Sequence, residues 1–141
     1  MIRFKLVSLS GLKYDQDAYE VVLPTLDGEI GVLTGHMPLI SVAKNGVIMV
    51  RQTASTRDDM MELFAISGGV VEVGNNVLTV LVDEADHADE INEQEAQKAY
   101  DLAQKLKAEA TDQVSLEQAQ SLVDRSSVRL QVAGLKRRRR S

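Results

Sequence analysis

Residues 2–8 alternate, with Ile2, Phe4 and Leu6 on one side and Arg3 and Lys5 on the other. A period of two belongs to a strand half-buried against a core. Short β-branched runs follow at 18–23, 37–42, 45–52, 61–66, 69–73 and 77–82, separated by Gly, Asn, Asp and Pro. Several short strands at such close spacing predict a sandwich or barrel. Gly74-Asn75-Asn76 supplies residues that tolerate positive φ between two of these runs, so 69–82 reads as a β-hairpin.

After Asp83 the period changes. Gly is absent until Gly134, Pro disappears, and Ala, Glu, Gln, Lys and Leu take over, all good helix formers. Asn92 with Glu95, and Ser115 with Gln118, have the spacing of a capping box. Two helices are predicted, at roughly 91–110 and 115–133. Thr111–Val114 leaves room only for a tight connection, which makes them an antiparallel hairpin. Their apolar stripes are Ala96, Ala99, Ala103, Leu106 and Ala110, then Leu116, Ala119, Leu122, Val123, Leu130 and Ala133. Alanine permits close approach but buries little area at about 25 cal/mol per Å², so the hairpin is expected to be weakly anchored and able to occupy more than one position. The predicted organisation is mainly β plus α: a β-sandwich over 1–86, then a helical hairpin over 87–141.

Composition narrows the chemistry. The 141 residues include no cysteine and two histidines, which removes disulfides, thiolate metal sites and cysteine nucleophiles. His36 and His87 lack ligand-like spacing, so no metal site is predicted. No serine has an evident histidine partner and no nucleophile motif occurs, which argues against an enzyme. No run approaches the roughly 20 apolar residues of a membrane span, and Met1–Phe4 already reads as strand, so a soluble chain without a targeting segment is expected. Net charge is −5, of which Lys136–Arg140 supply +5, leaving −10 on the rest. An acidic body with a basic tip makes a poor nucleic-acid footprint.

The segment from Gly28 to Ile40, GEIGVLTGHMPLI, resembles the GE-(I/L)-G-(hydrophobic)₂-x-GH-x-PL stretch of the epsilon subunits of F-type ATP synthases. Phe64–Val73 followed by Asn76–Leu81 is similar to that family's second signature, a strand, a double glycine and a hairpin, and Arg125–Leu135 resembles the end of its last helix. The resemblance implies a ten-stranded β-sandwich followed by two antiparallel helices. It also implies a non-catalytic central-stalk subunit that helps couple proton-driven rotation to ATP synthesis. The sandwich would bind the gamma subunit and the ring of membrane c subunits, peripherally, at the cytoplasmic face of the cell membrane. In bacterial members the helices can extend into the catalytic head of alpha and beta subunits and block ATP hydrolysis.

Carried onto this chain, the resemblance makes Glu29 and His36 the polar candidates for contact with the membrane ring. His36 reads equally as a satisfied, partly buried histidine. Gly28, Gly31 and Gly35 meet backbone demands. Gly68-Gly69 lacks the Lys-Ser/Thr ending of a phosphate loop and reads as a bulge or turn. The acidic bridge Asp83, Glu84, Asp86, Asp89 and Glu90 misses calcium-loop spacing and is expected to favour a helix N-terminus.

Some relatives bind ATP on the hairpin through an Ile/Leu-Asp-x-x-Arg-Ala motif and arginines of the second helix. Here the stretch is Ile91-Asn92-Glu93-Gln94-Glu95-Ala96, so a carboxylate stands where a guanidinium would face phosphates. Arg125 and Arg129 alone make a poor nucleotide site, and no cofactor is expected. Arg125, Arg129, Lys136 and Arg137, with the rest of the tip to Arg140, are instead candidates for contact with an acidic surface of the catalytic head. The plainer reading is a solvated tail complementing a helix C-terminus. A stand-alone β-sandwich module binding nucleic acid or anionic lipid through the tip is the alternative from a different class.

Overall fold

In the computed structural model, which describes residues 1–139, the chain divides into two compact units, Met1–His87 and the residues from Ala88 onward. The first holds eight strands: β1 Ile2–Ser8, β2 Gly11–Ala18, β3 Glu20–Thr25, β4 Gly28–Leu33, β5 Leu39–Ala43, β6 Gly46–Arg51, β7 Glu62–Gly74 and β8 Val77–His87. They run in the order β2-β1-β8-β7-β5-β3-β4, while β6 joins β3 to β7 and so closes a ring through β5. All neighbours are antiparallel except β1 and β8, which pair parallel from Arg3–Val77 to Val7–Leu81.

The expected ten strands are eight continuous ones, because β7 and β8 are long: β7 serves two sets of neighbours, and β8 pairs with β7 throughout but with β1 only through 77–81. β7 pairs β6 through residues 62–66 and β5 through 69–73. The bend lies at Gly68, which the register skips between Ser67↔Glu84 and Gly69↔Val82. Its φ is +28°, and its N–H donates to Asn45 Oδ1 at 2.7 Å, so the double glycine opens with an irregular step inside β7 that leaves the pairing register with β8 unshifted. At the far end Asn75 and Asn76 take φ of +52° and +59°, the left-handed pair that a two-residue hairpin turn requires.

Inward-facing residues of every strand except β4's glycine-rich start meet in one apolar core, running from Ile2, Phe4 and Leu6 to Val80, Val82 and Ala85. Every member of that core lies within the first unit, so the sandwich is complete without the helices. Phe4, Tyr14, Phe64 and His87 form a chain of ring contacts at 5.4, 5.4 and 4.9 Å. Burial, followed by the nearby Glu62 carboxylate, pushes the Tyr14 phenol up to about 12.

The second unit contains a short 3-10 turn at Ala88–Glu90, helix α1 Glu93–Glu109 and helix α2 Gln113–Arg139. Asn92 caps α1 as expected, its side chain accepting from the Glu95 N–H at 3.0 Å. The cap of α2 is Asp112 rather than Ser115. Its carboxylate takes the Ser115 N–H at 2.7 Å and the Ser115 hydroxyl at 3.1 Å, and the helix begins two residues earlier than the Ser115–Gln118 spacing predicts. These bonds from Ser115 hold the Asp112 carboxyl below its ordinary range. Because the folded-state value is depressed, the cap's contribution is full above the unfolded carboxylate range and disappears as pH falls through the folded value. Asp112→Ala should therefore lower hairpin helicity at pH 7 and make no difference near pH 2, as measured by circular dichroism at 222 nm.

Helix α2 also runs six residues past the expected end at 133, straight through Gly134. Ion pairs of Lys136 and Arg137 with the acidic residues before and at the start of α1 hold this extension in place. A Cβ on Gly134 would meet nothing nearer than the Arg138 side chain at 3.7 Å. Gly134→Ala should thus stabilise the hairpin by about 0.5–1 kcal/mol, through the helix propensity glycine lacks. A lower urea midpoint for the helical signal would contradict this.

The hairpin core is as thin as its stripes imply. Ala96 and Ala103 are the buried residues of α1, and Ala119, Val123, Val128, Val132 and Ala133 are the buried hydrophobics of α2. Ala99, Leu106, Leu116 and Leu122, all expected on the buried stripes, are exposed.

Candidate functional site

Strands β5, β7, β8 and β1 carry apolar residues at both parities, so one face fills the core and the other has nothing from this chain's strands to pack on. Cross-strand register sets Val42 opposite Val70, Val70 opposite Leu81, Leu81 opposite Val7, and Val7 opposite Leu12. Directly paired residues project to the same side of a sheet, so these five form a continuous outward strip across β5-β7-β8-β1-β2. Ile40 extends it along β5, and Leu9 lies beyond its β1 end. Ile40 is 77% exposed, Val42 47%, Val70 45% and Leu81 50%, far from the buried Val71 and Val80 of the opposite parity. A contiguous apolar face of this kind marks a place where something docks. The sequence signal was available in Val70-Val71 and Val80-Leu81-Val82: strands apolar on both faces expect cover on both.

Glu29 and His36 are not brought together. Glu29 is exposed on β4, paired with Pro24 beside the Leu26-Asp27 turn, so it belongs to a strand rather than to a Glu29–Pro38 loop. His36 lies past the other end of β4; from Glu29 to Leu33 alone the strand advances about 13 Å. Its N–H bonds to Leu33 O at 3.1 Å and its Nδ1 lies 2.7 Å from Met37 O, while the Gly35 N–H donates to Asn76 Oδ1 at 2.8 Å. Two residues on from the exposed Met37 the chain enters β5, so His36 edges the apolar strip at its Ile40 end, whereas Glu29 marks a separate corner with Leu26.

On the hairpin, Arg125 and Arg129 are half-buried one turn apart on α2, and neither is free. Lys136 Nζ lies 2.9 Å from Asp89 and donates to Ala88 O at 3.4 Å. Arg137 pairs with Glu93 at 2.7 Å. Lys136 and Arg137 of the basic tip therefore face carboxylates just before and at the start of α1; Arg140 lies outside the described residues. Asn92 is committed to capping α1 and Glu95 is exposed, so the stretch that carries the ATP motif in some relatives presents carboxylates and a satisfied cap. Among the described residues no group of three or more His, Asp and Glu is placed to hold a metal ion, and no helix is long and apolar enough to cross a membrane.

Comparison with known proteins matches both units. Residues 1–88 match the family model for the ATP synthase delta/epsilon chain β-sandwich domain, and residues 89–134 match that for its long α-helix domain. The ATP synthase epsilon chain of Nostoc punctiforme is 38% identical over 137 residues, covering 92% of this chain and 94% of its own. That of Synechococcus elongatus is 39% identical over 123 residues, 86% of each chain. The chloroplastic epsilon chain of Pyropia yezoensis is 31% identical, covering 94% and 95%. A chain in the Euglena gracilis mitochondrial ATP synthase structure (OSCP/F1/c-ring) superposes with a TM-score of 0.77 at 23% identity, over 95% of this chain and 81% of that one, and shares the fold. With relatives above 30% identity along nearly the whole chain and both domain models matched in order, this protein belongs to the ATP synthase epsilon-chain family.

Proposed function

We propose that the chain is a non-catalytic central-stalk subunit of an F-type ATP synthase, a rotor part that helps couple proton-driven rotation to ATP synthesis. The observation that carries this reading is the outward apolar strip on a sandwich whose core is already complete. A subunit that turns with a shaft needs a stable, largely apolar attachment, and Val42, Val70, Leu81, Val7 and Leu12 offer one to the gamma subunit. His36 belongs to the rim of that attachment. Glu29, at the separate corner with Leu26, is the candidate for the ring of membrane c subunits, which would keep the chain peripheral at the cytoplasmic face of the cell membrane.

The hairpin is the regulatory part. Its small core and exposed leucines suit an element with two positions of similar energy, one of which restrains ATP hydrolysis by the alpha and beta subunits. In the folded hairpin Lys136 and Arg137 are occupied by Asp89 and Glu93, so contact with the catalytic head through these cations and Arg125 and Arg129 belongs to an opened hairpin. That occupation also counts against a free-standing module using the tip for nucleic acid or lipid.

Reconstitution with an epsilon-depleted cognate catalytic head tests both halves. The whole chain should bind gamma and lower the ATPase rate, and a chain lacking residues 89–141 should bind gamma and leave hydrolysis unrestrained. A double Val70→Asp, Leu81→Asp variant should lose gamma binding. Undiminished gamma binding by that variant would refute the attachment surface, and full inhibition by the truncated chain would refute the hairpin mechanism.

A further inference from the structure

One carboxylate sits inside the outward apolar strip. Glu72 is an exposed residue of β7, two positions from Val70 on the same face. Register places Ile40 beside it on β5 and Thr79 on β8, and its diagonal neighbours include Val42 and Leu81. No cation reaches it within the sheet. Lys5 is in the same row but two strands away, beyond Thr79, roughly 10 Å at the usual strand spacing, and Lys5 itself faces Asp15 across β1 and β2. Asp15 is meanwhile tied to Arg3 at 2.7 Å. Glu20 on β3 shows the contrast, since it pairs with Arg51 at 3.2 Å.

A carboxylate surrounded by Ile, Val and Leu is tolerable while water covers it. Once an apolar partner excludes that water, the charge must find a donor or penalise the complex. We propose that Glu72 is the specificity-determining residue of this surface: the gamma-subunit face that covers the strip presents an arginine or lysine to the Glu72 carboxylate. This rests on the attachment reading above and adds to it the chemistry the partner must have. The apolar row supplies the contact area and is indifferent to sliding along the strip. A single desolvated ion pair within it fixes register, because it forms at one position only.

The test uses the full-length chain and purified cognate gamma, with affinity measured by calorimetry or interferometry at two salt concentrations. Glu72→Lys should weaken binding at least about a hundredfold and Glu72→Gln about tenfold or more, in line with loss or reversal of one buried charge pair. Glu72→Gln should also flatten the salt dependence of the association rate. All three positions probed are on the solvent side of the sheet, and unchanged thermal melts of the free chains confirm folding. If the Val70→Asp, Leu81→Asp variant loses gamma while both Glu72 variants bind like the parent, the attachment stands and the ion pair is wrong. The ion pair is equally wrong if Glu72→Gln binds more tightly, or only increases self-association of the free chain; Glu72 is then a charge that keeps an apolar face from aggregating. If the strip variant itself binds like the parent, attachment and ion pair fail together.

Discussion

Gly69→Ala is expected to abolish the folded sandwich or lower its melting temperature by at least about 15 °C, at roughly 4–8 °C per kcal/mol for a domain of this size. The reason is backbone, not conformational freedom. A Cβ on Gly69 would lie 1.9 Å from Leu81 O, 2.8 Å from Leu81 C and 2.9 Å from Val82 Cα. These are main-chain atoms of the neighbouring strand, which no rotamer change moves aside. Displacing β8 there also disturbs β1, which pairs parallel to it through Leu81, and β5, which pairs with Gly69 at Ala43. An effect above about 4 kcal/mol is exceptional for one methyl group, yet it is a large share of the roughly 5–15 kcal/mol that holds a domain together. Gly68→Ala is the control. There φ is +28°, but an added Cβ meets only Asn45 Oδ1 at 3.5 Å and Ala43 O at 4.0 Å, so the cost is the left-handed penalty of about 1–2 kcal/mol. Equal melting temperatures for the two variants would show that close approach of β7 and β8 is not what the second glycine serves.

The two glycines illustrate what one-dimensional pattern carries and what it withholds. Their adjacency reads as a bulge or turn from sequence, whereas Gly68 lies inside the continuous β7, with a positive φ and an unshifted register to β8. The clash at Gly69 depends on which strand lies alongside, and pairing between residues 69 and 82 is not written in either run alone. The same limit explains the strands that periodicity missed. β2 carries Lys13, Asp15, Gln16 and Asp17, and only Tyr14 and Ala18 turn inward, so an edge strand reads as a polar loop. β4 hides behind Gly28 and Gly31, which answer to a turn and to the nearby Glu20 side chain. Helix existence was legible because amphipathic spacing is local, whereas the start of α2 turned on Asp112 accepting the N–H of Ser115, which places Ser115 inside the first turn instead of at the cap. Its end turned on Lys136 and Arg137 finding carboxylates about forty-five residues back along the chain. The resemblance to epsilon subunits implied which partners to expect. It did not reveal the strip, which emerges only when Val42, Val70, Leu81, Val7 and Leu12 are aligned by register.

Phe64→Ala should produce the second large effect, a loss of about 3–5 kcal/mol and a melting temperature lower by roughly 15–30 °C. Phe64 is fully enclosed, opposite Ile48 on β6 and His87 on β8, and meets Tyr14 edge-on at 5.4 Å and 76° and His87 at 4.9 Å and 83°. Removing it takes away a ring's worth of buried area and opens a cavity between two other rings. Phe64→Leu keeps most of the volume, and its cost should stay near 1–1.5 kcal/mol, reporting mainly the edge-to-face contacts. A second readout is independent of the melt. Burial is the first cause of the raised Tyr14 phenol, so opening the cavity should bring its titration down from about 12 toward the ordinary 10. In the parent protein the phenol holds its proton more tightly folded than unfolded, so this contribution is intact below pH 10 and is lost as pH rises from about 10 to about 12. Stability of Phe64→Leu should follow the same alkaline decline, and Tyr14→Phe should not. An absorbance titration at 295 nm of chains carrying Tyr19→Phe and Tyr100→Phe reads Tyr14 alone. If Tyr14 titrates at the ordinary 10 with Phe64 in place, the enclosed ring cluster does not form in solution.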